Sequence, residues 1–249
     1  MDKNENQIIK VGITGASGVV GTALTGGLSE KYNLMLYDVK KTKQPHKEKF
    51  IEVDFAQKER LSGIFEGLDA LIHLAGDPRP NAPSQLTLRN NFIATSYVFE
   101  EAKRAGIKKI VFASSNFYHQ GSVTDALKGK LKQPITLDTP PTPLCLYAKS
   151  KVFAETVGLH LSHLGIQFVA LRIGWTIVED NPSFYTSDYM RAVFCSKRDL
   201  VQAFDKALQI DISFLAAFAV SDNTRGIFDL AETKKKLGFY PEDNAENYF

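Results

Sequence analysis

The chain has little of what several classes of protein require. Its 249 residues include only 2 cysteines, Cys145 and Cys195, and this number and spacing give neither a disulfide framework nor a set of metal ligands. No apolar run approaches the roughly 18 residues of a membrane span, and the polar residues 1–7 lack a signal-peptide core. The formal net charge is only +2, and the lysines are scattered, which argues against nucleic-acid binding. These absences predict a cytoplasmic protein that binds no metal, membrane or nucleic acid.

What is present is an alternation of strand and helix patterns. A length of 249 residues with 44% hydrophobic content suffices for one α/β domain with a substantial core. Strands are predicted near 8–13, 34–38, 50–53, 70–74, 108–114 and 166–172, and helices near 18–30, 57–66, 84–104 and 147–163. Residues 121–146 read as a long connection, followed after Gly174 by a helix from a Ser196–Asp199 capping box to Leu208, a strand near 213–220, and a helix near 231–237 that stops at Gly238. This order predicts a doubly wound parallel sheet with helices on both faces.

Three glycines, Gly15, Gly18 and Gly21, lie between the first predicted strand and the first predicted helix. Gly15 permits a tight turn, Gly18 lets the backbone approach a pyrophosphate without a Cβ, and Gly21 lets the helix pack closely. A strand, a glycine turn and a helix in this order form a cradle for phosphate. The sequence therefore predicts a Rossmann-type site for a dinucleotide.

The ends of the next strands add to this site. Asp38 follows the second strand near the ~20-residue spacing at which a carboxylate binds the adenosine ribose and repels a 2′-phosphate, which favours NAD over NADP. Asp54 and Phe55 end the third strand, where a side chain and a backbone amide can meet an adenine edge. The fourth strand ends in the small residues 74–76, which allow close approach of a cofactor, and the proline-rich loop 77–83 follows at the same edge.

The chemistry is predicted at the start of the helix near 147–163. Tyr147 and Lys151 lie four residues apart and therefore on one helical face, where the ammonium is expected to lower the pKa of the phenol. Such a tyrosinate can take a proton from a substrate hydroxyl. Ser115, or its neighbour Ser114, ends the fifth strand and can orient the substrate oxygen. Asn91 is a candidate tie between its own helix and the catalytic helix.

Taken in order, these motifs resemble the extended short-chain dehydrogenase/reductase family, within the NAD-dependent epimerase/dehydratase superfamily. The resemblance spans nearly the whole chain, and the segments 111–116, 196–201 and 238–246 are most similar to the uronate dehydrogenase-like branch. It implies an NAD-dependent oxidation of a sugar or sugar acid, with aldose C1 converted to a lactone, by Ser115, Tyr147 and Lys151. The cofactor contacts that it implies are Gly15, Ser17, Gly18, Val19, Val20, Gly21, Asp38, Asp54, Phe55, Leu74, Ala75, Gly76, Asn91, Ala113, Ser114, Tyr147, Lys151 and Ile173.

The substrate side departs from the uronate pattern. The substrate contacts expected here are Pro78, Arg79, Ser115, Asn116, Phe117 and Trp175, and this set is more apolar than a uronate needs. The arginine that binds the carboxylate in that branch has no clear match, since Arg191 lies nearby but Tyr189 can hold the aligned position. Arg79 is a second candidate for an anionic group such as a sugar phosphate.

Two other functions stay open from the sequence: a sugar epimerase that retains NAD, and a non-catalytic NAD(H)-binding regulator. The resemblance further implies a homodimer formed through helices 84–104 and 147–163, in which Val98, Phe99 and Phe153 serve either the contact or the core. The chain is expected to be one NAD(P)-binding domain, 1–249, in which residues 175–249 contribute a small lobe on the substrate side.

Overall fold

The computed structural model describes residues 10–41 and 47–249, so Ile8 and Ile9 of the first predicted strand lie outside the described residues. Seven strands form a parallel sheet in the order β3-β2-β1-β4-β5-β6-β7. They are β1 (Lys10–Thr14), β2 (Asn33–Asp38), β3 (Lys49–Glu52), β4 (Ala70–His73), β5 (Lys109–Ser115), β6 (Gln167–Ile173) and β7 (Phe214–Ala219). The predicted Rossmann-type architecture is confirmed.

Helices cover both faces of the sheet, because both faces of these strands are apolar. They are α1 (Val19–Leu28), α2 (Ser84–Thr87), α3 (Ala94–Arg104), α4 (Gln120–Leu127), α5 (Leu146–His163), α6 (Asp188–Val193), α7 (Lys197–Gln209) and α8 (Ala231–Leu237). On one face, Leu24 of α1 and Phe204 of α7 enter the core. On the other face, Phe99 of α3 and Ala154 of α5 do so. Across the described residues, no helix has the length and apolar character needed to cross a bilayer.

Two predicted elements are wrong. The helix expected near 57–66 is a single 3₁₀ turn, Lys58–Arg60, because Gly63 and Gly67 take left-handed φ values of +81° and +75° that end any regular helix. The long connection expected over 121–146 contains α4, whose polar composition hid it. The helix expected over 84–104 is present, but it includes a π-helical segment, Leu88–Ile93, between α2 and α3.

The C-terminal part follows its predicted caps. The Ser196 side chain accepts a hydrogen bond from the Asp199 amide at 3.0 Å and begins α7, and Gly238 ends α8 with a left-handed φ of +67°. The buried Asp199 carboxylate also accepts the amides of Glu242 and Asp243 at 2.8 and 3.1 Å. These bonds hold the final segment against α7.

The strand order places a crevice at the carboxyl ends of β1 and β4. From β1 the chain builds the sheet outward through β2 and β3, and from β4 it builds outward in the opposite direction. Ligands of open parallel sheets bind where this direction reverses. The glycine turn after β1 and the residues after β4 meet at this point, since a Cβ on Gly15 would lie 2.7 Å from the Ala75 nitrogen.

Candidate active site

The three glycines of the turn have different surroundings. Gly15 has a φ of +71°, and the space for a Cβ is filled by the backbone of Ala75. A Cβ on Gly21 would lie 2.4 Å from the Gly15 carbonyl oxygen, so α1 can pack this closely only with glycine there. At Gly18 a Cβ would make an ordinary contact with the Gly15 carbonyl oxygen at 3.4 Å, so the backbone there is less closely covered than at Gly15 or Gly21. The turn and the packing are as the sequence predicts, and Gly18 offers the open approach that a dinucleotide needs.

The N-terminus of α1 faces this space. Gly18 is its N-cap, with no side-chain cap, and Val19 and Val20 form its first turn without an acidic residue. The helix dipole and the first amide groups therefore favour an anion here. Ser17 is engaged with the end of β2, since its amide donates to Asp38 Oδ2 at 2.9 Å and its hydroxyl donates to the Lys40 carbonyl at 2.7 Å. The structure thus brings the Asp38 carboxylate to the glycine turn, as a ribose site requires.

Of the two predicted adenine contacts that follow β3, Asp54 is partly exposed and Phe55 is buried. The Asp54 carboxylate accepts hydrogen bonds from the Ala56 amide at 3.0 Å and the Arg89 guanidinium at 2.5 Å. Burial raises the pKa of Asp54, but the hydrogen bond and charge of Arg89 outweigh it and hold the pKa below its usual value. The Phe55 ring is buried and stacks on Phe65 at 6.2 Å, so only its backbone is left for a ligand.

The π-helical segment gives Asn91 a specific position. Its amide oxygen accepts from the Asp77 nitrogen at 2.8 Å, and its amide nitrogen donates to the Asp77 carbonyl at 2.9 Å and to the Ser150 hydroxyl at 3.5 Å. Asn91 therefore fixes the chain just after residues 74–76 and connects it to α5, the tie expected from the sequence. His73 precedes this stretch as a satisfied core histidine, bonded to Thr14 and Thr95.

Ser115, Tyr147 and Lys151 converge at the carboxyl edge of β5. The Ser115 hydroxyl lies close enough to the Tyr147 phenol to lower its pKa, and it accepts the Phe117 amide at 3.2 Å. The Lys151 ammonium lies 5.3 Å from the centre of the Tyr147 ring and donates to the Ala113 carbonyl at 2.8 Å. The three groups are thus contiguous, with a hydroxyl, a phenol and an ammonium around one point.

Burial determines the electrostatics of this group. It lowers the pKa of Lys151 to about 8, against the opposing charge of Glu155. Burial also raises the pKa of Tyr147, although the hydrogen bond from Ser115 opposes the change. The sequence predicted that Lys151 would lower the Tyr147 pKa, and this prediction is wrong for the protein without cofactor. Removal from water destabilises the phenolate more than the neighbouring groups stabilise it.

A buried ionic network lies directly behind the site. The Arg172 guanidinium of β6 pairs with the Glu155 carboxylate of α5 at 2.8 Å, with both side chains about 5% exposed. The Ser114 hydroxyl donates to the same carboxylate at 2.5 Å, and Arg172 also contacts the His119 ring at 2.9 Å. The Ser114 side chain therefore joins β5 to α5, and this leaves Ser115 as the serine that faces Tyr147. Ala113 and Ile173, the flanking predicted cofactor contacts, are buried at the same strand ends.

The substrate side is lined by aromatic rings. The ring centre of Phe117 lies 5.8 Å from that of Tyr147 and 6.3 Å from that of Tyr189. The ring centre of Trp175 lies 5.7 Å from that of Tyr189 and 4.9 Å from that of Tyr185. We call Phe117, Tyr189, Trp175 and Tyr185 the aromatic wall. The sequence singled out Phe117 and Trp175 as substrate contacts, considered Tyr189 only as the counterpart of an arginine, and missed Tyr185.

The other predicted substrate contacts lie in different settings. Asn116 is buried, with its amide nitrogen on the Ile173 carbonyl at 3.2 Å and its oxygen accepting from the Tyr189 hydroxyl at 2.9 Å, so it positions Tyr189. Pro78 is exposed, and the Arg79 guanidinium beside it is paired with Asp77 at 2.6 Å. Arg191 points elsewhere, because it pairs with Glu246 at 3.0 Å and stacks on Phe249.

The geometry agrees with what comparisons of the chain with known proteins find. The model of the NAD dependent epimerase/dehydratase family matches residues 11–177, and the chain belongs to this family. It is therefore an NAD-dependent enzyme, as the glycine turn and Asp38 predict.

Several relatives span the whole chain. In Haloferax volcanii, an NAD-dependent glucose-6-phosphate dehydrogenase is 32% identical over 248 residues, covering 95% of this chain and 94% of its own. An L-arabinose 1-dehydrogenase (NAD(P)(+)) of the same organism is 29% identical over 254 residues, covering 95% and 97%. The crystal structure of a glucuronic acid dehydrogenase from Chromohalobacter salexigens superposes with a TM-score of 0.83 at 25% identity, over 97% of this chain and 87% of that one. The expected likeness to uronate dehydrogenases is confirmed.

Proposed function

We propose that this protein is an NAD-dependent sugar dehydrogenase that oxidises C1 of an aldose or sugar acid to a lactone. The observation that carries the proposal is the convergence of Ser115, Tyr147 and Lys151 at the sheet edge that holds the glycine turn. The relatives support the reaction class, because two of similar length are named as dehydrogenases of sugars.

The residues divide the work by their position. The Ser115 hydroxyl holds the substrate oxygen and the Tyr147 phenol in one hydrogen-bonded line. Tyr147, as phenolate, takes the proton of the substrate hydroxyl as the C–H bond at the same carbon breaks. The Lys151 ammonium stabilises that phenolate by its charge. NAD, when bound, supplies the acceptor for the hydride.

We propose the same sets of contacts that the sequence indicates. Amides at the start of α1, next to Gly18, hold the pyrophosphate, the Asp38 carboxylate holds the adenosine ribose, and the backbone after β4 borders the cofactor. The segments that follow β1, β2 and β4 thus meet the dinucleotide. The intact Ser115, Tyr147 and Lys151 favour an enzyme over a regulator that only binds NAD(H), because binding alone requires no proton acceptor.

The first test is turnover. Purified protein with NAD and a panel of aldoses, uronates and sugar phosphates is expected to form NADH, followed by its absorbance. Tyr147→Phe keeps the ring but removes the proton acceptor, so we expect it to lower kcat by about 10²- to 10⁴-fold. Tyr240→Phe is the matched control, since Tyr240 is exposed and lies against α7 through its amide. Equal rates for wild type and Tyr147→Phe would contradict the proposal.

We further propose a cytoplasmic homodimer in which residues 175–249 form a substrate-side lobe. Val98 and Phe99 are buried in the core of one chain, so they are not left for a partner. Phe153 packs on Phe92 at 5.2 Å, and the exposed Ile93 and Leu159 on the same helices are apolar groups for the contact. Light scattering of the purified protein at twice the chain mass would support the dimer, and the mass of one chain would contradict it.

A further inference from the structure

We infer that the sugar site takes a neutral aldose, seated on the aromatic wall, and discriminates against sugars that carry a carboxylate or phosphate. This rests on the proposed function and deepens it. The inference follows from two features: a continuous row of rings that begins next to Tyr147, and two candidate arginines that are already paired with acids of this chain.

The aromatic wall begins at the catalytic tyrosine. Neighbouring ring centres from Tyr147 through Phe117, Tyr189 and Trp175 to Tyr185 lie 4.9 to 6.3 Å apart. Tyr185 at the far end is 38% exposed, and Phe117, Tyr189 and Trp175 are half-buried. Such rings present apolar faces, which suit the C–H face of a pyranose and offer nothing to a charged group.

The wall is held in place from behind. Asn116 is bonded on one side to the Ile173 carbonyl of β6 and on the other to the Tyr189 hydroxyl. The Trp175 amide donates to the Val193 carbonyl at 2.8 Å, and its carbonyl accepts the Cys195 amide at 3.2 Å. A wall fixed by backbone bonds and a buried amide is preorganised, so ordering it costs a ligand little.

The two arginines that the sequence offers for an anionic sugar group are already engaged. Both terminal oxygens of Asp77 bind the Arg79 guanidinium, at 2.9 and 2.6 Å. Both carboxylate oxygens of Glu246 bind Arg191, at 3.2 and 3.0 Å. A sugar carboxylate or phosphate would therefore compete with Asp77 or Glu246 for these guanidinium groups.

Removal of the sugar from water increases the difference in affinity between a neutral and an anionic sugar. A neutral hydroxyl can be satisfied by Ser115 and Tyr147, but an anion against rings loses hydration that nothing on the wall returns. The Asp77 carboxylate, 7% exposed, offsets the charge of Arg79, so this pair offers an anion little net attraction. The geometry therefore favours the neutral member of any pair of sugars that differ only at C6.

The chain contains its own reporter, because Trp175 is its only tryptophan. We would titrate Tyr147→Phe, loaded with NAD so that the sugar is not consumed, and follow tryptophan emission. The ligands are glucose, glucuronate and glucose 6-phosphate, with the corresponding galactose series. In at least one series, the neutral sugar is expected to change the emission saturably at a concentration about tenfold lower than either anion. Anions that bind as tightly as the neutral sugar, or no response to any sugar, would overturn the inference.

Two variants localise the effect. Tyr185→Ala removes a ring of the wall and is expected to weaken binding of the neutral sugar about five- to tenfold. Tyr240→Ala removes an exposed tyrosine outside the wall and is expected to leave this binding unchanged. Asp77→Asn releases Arg79 and is expected to raise the affinity for glucuronate, relative to that for glucose, several-fold. Unchanged affinities in Tyr185→Ala, or an unchanged ratio in Asp77→Asn, would contradict the roles given to the wall and the pair.

The two proposals fail differently. If wild type oxidises only uronates or sugar phosphates, the dehydrogenase stands and the inference falls. If wild type oxidises no sugar, the proposed function falls, and the emission titration still decides which sugar the wall accepts.

Discussion

At Lys151, burial disfavours the charged form of the side chain that the proposed reaction uses. The residue is 9% exposed, and its ammonium donates a hydrogen bond to the Ala113 carbonyl. The environment therefore stabilises its charge less well than water does, which is why the pKa falls from 10.5 to about 8. A buried cation of this kind is expected where a phenolate has to form.

This conflict has a measurable pH dependence. Between about pH 8 and 10, the unfolded chain keeps a proton on Lys151 that the folded chain has lost, so the free energy of unfolding rises with pH. We expect this rise to be about 2 kcal/mol larger in cofactor-free wild type than in Lys151→Met, measured by chemical denaturation at both pH values. Repeating the comparison with Tyr147→Phe in both proteins removes the tyrosine on which Lys151 acts, and the other tyrosines affect both proteins alike. A rise of equal size in the two proteins would show that Lys151 is well solvated.

Individual residues of the site differ in how far the sequence determines them. Tyr147 and Lys151 are predictable because their spacing fixes them on one face of α5. The choice between Ser114 and Ser115 is not, because it depends on which side of β5 each residue occupies, and in the structure Ser114 turns to Glu155. The pairing of Arg79 with Asp77 depends on a loop conformation that no spacing rule specifies.

At the scale of elements, α1 and the turn before it provide a set of three matched glycine variants. Gly18→Ala places its Cβ at an ordinary contact distance, 3.4 Å, from the Gly15 carbonyl oxygen, so we expect normal folding but at least about tenfold weaker NAD binding by calorimetry, from the lost close approach. Gly21→Ala pushes a Cβ into the Gly15 carbonyl and should cost about 1–3 kcal/mol of stability.

Gly26→Ala is the control in this series. Gly26 lies in the same helix with nothing within 4 Å of its Cβ position, so the change should stabilise the protein by about 0.5–1 kcal/mol. If Gly18→Ala binds NAD as wild type does, the glycine turn is not the pyrophosphate site.

The Glu155–Arg172 pair joins α5 to β6 and is a second test at this scale. Arg172→Met leaves a buried carboxylate uncompensated and is expected to cost about 3–5 kcal/mol of stability, with much of this recovered in the double variant with Glu155→Gln. The exposed pair of Glu232 and Lys236, about half exposed on both sides, is the comparison, and Lys236→Met should cost less than about 1 kcal/mol. Additive losses at the buried pair would contradict the coupling.

Elements are predictable where the pattern is apolar and regular. The strands are found within one or two residues because most are short buried runs at a fixed place in the alternation. The helix expected near 57–66 is wrong although Leu61 and Phe65 are buried as its pattern requires, because two glycines in left-handed conformation override that pattern. The π-helical segment around Asn91 follows from tertiary bonds to Asp77, which local propensity does not contain.

At the scale of the whole molecule, the sheet order brings distant segments to one crevice. The proposed cofactor contacts at the glycine turn, Asp38 and residues 74–76 are predictable because they follow strand ends of a known fold. The aromatic wall is not, because Tyr185 and Tyr189 come from the less regular part after Gly174, and Tyr189 is positioned by its bond to Asn116 and its packing on Phe117 and Trp175.

The central claim is that a hydride leaves the sugar and stays on the released cofactor. The most direct measurement is the mass of NADH formed from an aldose deuterated at C1. The account predicts one deuterium in free NADH and a lactone as the product, with both lost in Tyr147→Phe. An isomerised sugar that retains its deuterium, with the cofactor still bound as NAD and no free NADH, would contradict it and identify an epimerase instead.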